Sequence, residues 1–160
     1  MDWDGIIKLV HVGIAFALVS GLIGRWILLT RAAACDDVED AHGLAKAASP
    51  FEQIVQIAGT AILPAGLVTA WIQGYPWLGL TTGWMLISTL LVVSIVPLIP
   101  LVFIPRGRIF EDAMGAARER GSVTPELRAA FRDPAVSFAR RYELAAVSIV
   151  IVLMVLKPFA

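Results

Sequence analysis

The chain has 160 residues, of which 58% are hydrophobic and 16% charged, with a formal net charge of zero and a mean hydropathy of +0.79. That balance argues against an ordinary soluble domain and fits one small membrane domain spanning residues 1–160. A nucleic-acid partner is excluded too. Eight arginines lie between Pro105 and Arg141, but Glu111, Asp112, Glu119, Glu126 and Asp133 interleave with them. A lone cysteine, Cys35, rules out an internal disulfide and any multi-cysteine metal site. No cleavable signal is expected, because the opening MDWDG is acidic and the first apolar stretch is too long.

That stretch, residues 6–30, is long enough to cross a bilayer, since about 20 apolar residues suffice at about 1.5 Å each. It nevertheless carries Lys8, His11 and Arg25. At 100° per residue Arg25 falls roughly 40° from His11, and Lys8 roughly 60° to the other side, so the three share a face. Ionisable groups at membrane depth are costly and usually face a bundle interior. Gly13, Ala17, Gly21 and Gly24 form a second, small-residue stripe that invites close approach of another helix.

The polar connection 31–49 contains the acidic run Asp36, Asp37, Glu39, Asp40. Ser49–Pro50–Phe51–Glu52 then predicts a helix start, with Ser49 as cap, Pro50 in the first turn and Glu52 closing a capping box. A second span follows over about 51–73, with Glu52, Gln53, Gln56 and Thr60 within a sector of roughly 60° and Pro64 bending it midway. The uncharged loop 74–83, flanked by Trp71 and Trp84, predicts an interfacial aromatic belt. A third span over about 84–104 should be distorted by Pro97 and Pro100 and ended by Pro105.

Between spans, residues 106–133 predict an amphipathic helix with Ile109, Phe110, Ala113, Met114 and Ala117 on its apolar side, closed by Gly121. Thr124–Pro125 and Asp133–Pro134 each read as a cap followed by a first-turn proline. The last span, about 135–157, ends at Lys157–Pro158. The fold class expected is therefore all-α: four transmembrane helices in a bundle. Lys and Arg concentrate in connections 31–49 and 106–133, which places these in the cytoplasm with both termini outside. The amphipathic helix between spans three and four is then cytoplasmic.

Four pieces of sequence are familiar: KLVHV in the first span, VFIPRGRIFE after the third, and TPELRAAFRDP and ARRYELAAVSIVIVLMVLKPF at the end. On these the chain resembles a bacterial family of small predicted integral membrane proteins without an assigned function. The resemblance implies four spans in a bacterial inner (cytoplasmic) membrane and brings no reaction. More distantly, the chain is similar to the short membrane-bound haem-containing protoporphyrinogen oxidases. Their first span also carries a Lys and then a His, as Lys8 and His11 do. An Arg- and Glu-bearing entry to their last span parallels Arg140 and Glu143. Leu18 stands where they usually carry tryptophan, and Tyr142 where they carry asparagine.

Two sites follow. His11, with Lys8 beside it, is either an axial donor to haem b or a buried imidazole bonded to another helix; the spans hold no second histidine. Arg25, Glu52, Gln56, Arg140 and Glu143 form the expected polar interior cluster, with Arg141 at its edge. It either receives a propionate, quinone head group or proton, or ties helices together. Within it Arg25 should pair with Glu143, because Glu52 has a capping role. No metal site is expected, and no catalytic residue emerges. Two functional classes remain: an accessory or structural membrane protein packing with itself or with a membrane complex, and a b-haem- or quinone-linked oxidoreductase. The first is preferred, because the chain lacks a second haem ligand and several residues of the enzyme pattern.

Overall fold

The computed structural model describes residues 3–158. Among them there is no β-strand; six α-helices run Trp3–Ala32 (α1), Val38–Ile72 (α2), Gly83–Ile95 (α3), Ile104–Arg120 (α4), Pro125–Phe131 (α5) and Pro134–Leu156 (α6). Three stretches are long and apolar enough to cross a membrane: α1, α2 and the nearly continuous run Gly83–Arg120. α1 and α2 form an antiparallel hairpin, α3 packs chiefly on α6, and α1 also touches α6.

The second helix begins far earlier than its proline suggests. Asp37 is the cap, its carboxylate accepting from the amides of Glu39 and Asp40. The alanine-rich residues that follow are strong helix formers, so the chain stays helical through Pro50 and Pro64. This corrects the expected start at Ser49–Pro50: Pro50 lies inside α2, and Glu52 caps nothing. The polar connection shrinks from 31–49 to about five residues. Pro105 does not stop the third stretch either. Residues Ile99–Phe103 form a π-helical turn, and Pro105 sits in the first turn of α4, where its missing N–H costs nothing. Pro97 and Pro100 account for the irregular backbone after α3.

Two apolar cores hold the chain. Leu18, Leu22, Ala58 and Ile62 join α1 to α2, with Val92 of α3 and Leu144 and Val147 of α6 packed against them. Gly21 and Gly24 set the helix separation. A Cβ at Gly21 would lie 2.9 Å from Val55 Cγ2, and one at Gly24 would overlap the Phe51 ring. Gly13 does not share this role: it is exposed, with nothing near its Cβ position.

The second core caps the other end. Val38, Met114, Ala117 and Leu127 are buried together, with the rings of Phe110 and Phe131 edge-to-face at 4.9 Å. Phe110, Ala113, Met114 and Ala117 of α4 face this core, whereas Ile109 is exposed. Around it, Arg118 pairs with Glu39, Arg128 with Asp36, and Arg106 with Asp133. In the first two pairs the acids of one connection meet the arginines of the other, and the third closes 106–133 on itself, although exposed pairs of this kind each contribute little. Gly121 (φ +67°) closes α4 in the left-handed region. Thr124 and Asp133 cap α5 and α6 by accepting from first-turn amides. At α5, the Glu126 carboxyl is held below its usual range by its own backbone amide and the Thr124 hydroxyl.

Candidate functional site

Polar groups gather at two levels of the bundle. His11 and Arg25, fourteen residues apart on α1, are separated by about 21 Å along the helix. His11 lies at the end holding the 74–82 loop, the open end; Arg25 lies towards the capped end.

At the Arg25 level one ion pair dominates. Arg25 Nη2 donates to Glu143 Oε2 at 2.5 Å, joining α1 to α6, and both residues are about 95% buried. The Arg25 guanidinium also stacks over the Phe103 ring, 5.3 Å from its centre. The π-helical turn carries this ring, so the irregular backbone after α3 supplies one wall of the ion-pair site. Arg140, one turn before Glu143, is partly buried, and its Nε has no partner among the described residues. It borders a cavity of about 450 Å³ at the capped end, shared with Glu52, Lys46, Arg106 and Phe103. Glu52 is otherwise exposed. Gln56 stands apart from this group: it and Gln53 are exposed on α2, so the expected interior cluster reduces to Arg25, Glu143 and Arg140 with Glu52 at the rim. Arg141 is exposed.

The open end holds a different arrangement. A cavity of about 280 Å³ opens between α1, α2, α3 and α6, with Lys8, His11, Trp84, Ser88 and Lys157 among its lining residues. His11 is 8% exposed, and its ring lies against Gly66, where a Cβ would come within 3.2 Å of Cε1. Trp84 is 6% exposed. Within this wall the hydroxyls of Thr69 and Ser88 are satisfied by backbone carbonyls one turn back. His11 Nδ1 and Trp84 Nε1 are not: both are buried without a hydrogen-bond partner among the described residues. Leaving a buried polar atom unpaired costs about 1–3 kcal/mol, so two on residues that line one cavity mark it out. Lys8 is exposed at the rim, and the Lys157 ammonium lies 5.9 Å from the Trp84 ring centre. Among the described residues no acidic side chain lines the cavity.

Trp84 is the residue that sequence reasoning missed. As one of several tryptophans near a loop it reads as an interfacial anchor, yet it is buried, and Tyr75 meets its ring edge-on at 6.3 Å. Its place depends on α3 packing against α6, for which the local sequence carries no signal. No group of His, Cys, Asp and Glu suited to a metal ion occurs among the described residues.

Long apolar helices, a buried ion pair between helices and a polar-rimmed cavity define an integral membrane protein of the helical-bundle class. The chain belongs to the family described as "Predicted integral membrane protein (DUF2269)", whose model matches residues 5–158, nearly its whole length. Comparison with curated proteins and with solved structures returns no match.

Proposed function

We propose that this is a four-span accessory protein of a bacterial inner membrane, with a binding rather than a catalytic role. In this reading α6 is the fourth span. Its charges sit in its first turns, where Glu143 is neutralised by Arg25 and the arginines snorkel towards head groups. Both chain ends are then outside, and α4, α5 and the start of α2 form a cytoplasmic cap with its apolar side turned inward.

The observation that carries a binding role is the open-end cavity, whose mostly apolar wall includes two residues, His11 and Trp84, each with a buried nitrogen that has no partner among the described residues. Small-molecule sites have this composition: mostly apolar, with a few convergent polar groups. Triad-type acid–base catalysis has less support, because among the described residues no carboxylate orients His11 through Nδ1. For association with a second copy or a membrane complex, the supporting feature is the Gly83–Arg120 stretch. Only 6% of its most apolar window is buried within the chain. Blue-native electrophoresis of gently solubilised membranes tests the subunit part, which predicts migration above a single chain. Migration as one chain alone would refute it.

A second reading, a haem- or quinone-linked redox protein, is favoured by the same His11 nitrogen. Met85 and Met154 also border the cavity and offer soft thioether sulfurs. The volume fits a single ring better than a porphyrin: about 280 Å³ is at the low edge of the roughly 300–1,000 Å³ typical of ligand sites. A Soret band in the purified protein would support this reading over the first.

A further inference from the structure

We infer that the open-end cavity binds a lipophilic carboxylic acid, with its carboxylate held at His11 and Trp84 between Lys8 and Lys157 and its apolar body in the bundle. This rests on reading the cavity as a binding site and names its ligand class. Three observations converge on an anion. Trp84 Nε1 can only donate a hydrogen bond, and His11 Nδ1 donates in one of its tautomers. Both lack partners. Two lysines border the cavity, neither forms an ion pair among the described residues, and none of the described acidic side chains lines it. A carboxylate is ionised at neutral pH and accepts charge-assisted bonds, which are shorter and stronger than neutral ones.

The rest of the wall selects the body of the ligand. Beyond the polar rim lie Ile62, Val92, Val150 and Met154, aliphatic surface continuous with the core between α1 and α2. A cavity of about 280 Å³ admits one medium-length chain or a single ring, and it is too small for a two-chain phospholipid. The lining residues come from α1, α2, α3 and α6 and from the 74–82 loop. Lys157 has a further role. It caps α6 in a left-handed conformation (φ +44°), and its ammonium lies over the Trp84 ring on the cavity wall.

The test uses the full chain in phosphatidylcholine nanodiscs with ¹⁵N-labelled tryptophan. The Trp84 indole resonance is identified by its loss in Trp84→Phe. Decanoate should move this resonance saturably, whereas decanol and decyltrimethylammonium should not. Lys8→Gln combined with Lys157→Gln, two exposed changes that leave the fold intact, should weaken the decanoate response roughly tenfold, the size of one charge-assisted contact. If decanol shifts the peak as well as decanoate does, the cavity binds but the acid class is wrong. If none of the three gives a saturable shift, the cavity is only water-filled and the inference fails.

Discussion

Replacing Arg25 by Gln removes the guanidinium from a site that is almost wholly closed to solvent. The Glu143 carboxylate is left at the centre of the helix contact, with Arg140 the nearest remaining cation on its own helix. Breaking one partner of a buried pair costs about 3–5 kcal/mol, chiefly because the survivor is uncompensated. The two halves should not be equal. A stranded carboxylate can take a proton or lean on Arg140. A stranded guanidinium cannot lose its proton, and the Phe103 face offers it only about 0.5–2 kcal/mol. Glu143→Gln should therefore be the more damaging change, at the upper end of that range, and Arg25→Gln the milder. In the double mutant a neutral amide pair replaces both charges, so its loss should fall well short of the sum. Reversible unfolding in mixed micelles, monitored by helical circular dichroism for the wild type and the three variants, yields the coupling energy directly. Simple additivity of the two single losses would refute the pair as an energetic unit.

Gly24→Leu and Gly21→Leu should each lower thermal stability in detergent, since the new side chains would meet Phe51 and Val55, while Gly13→Leu should leave the melting profile unchanged. Leu127→Ala should cost about 2–5 kcal/mol, because Leu127 is completely enclosed in the cap, and hydrogen exchange should quicken in α4 and α5 before the spans open. The carboxyl of Glu126 should titrate below an ordinary glutamate by NMR, and Thr124→Ala should move its midpoint upward. Because this value is depressed on folding, the associated stability is present above the ordinary carboxylate range and is lost as pH falls through the folded value. The start of α5 should accordingly fray on acidification.

Much of the local punctuation is legible in the chain, because caps act over three or four residues. Gly121, Thr124 and Asp133 mark their helix ends by their own backbone chemistry. The prolines mislead for the opposite reason. Pro50 and Pro105 look like helix starts or stops, but neighbouring segments decide: an earlier cap at Asp37 and an alanine-rich turn carry α2 past Pro50, and the π-helical turn carries the chain into α4. The face shared by His11 and Arg25 follows from helical periodicity alone, and both are buried. Lys8, on the same nominal face, is exposed because it lies near the helix end. Which helices supply the opposite wall is a matter of tertiary pairing. Periodicity therefore could not show that Trp84 faces His11's cavity, that Gln56 turns outward, or that Gly13 is uncovered.

The claim on which everything else depends is that α6 crosses the membrane, putting the cap inside and the open-end cavity outside. Single cysteines at Ser122 and Thr81, and one added after Ala160, each in a Cys35→Ala background, test it with a membrane-impermeant thiol reagent on intact cells. Thr81 and the C-terminal cysteine should label at once, and Ser122 only after lysis. Labelling of Ser122 together with the C-terminal cysteine, or protection of both, would place the two ends of α6 on one side and contradict the four-span account.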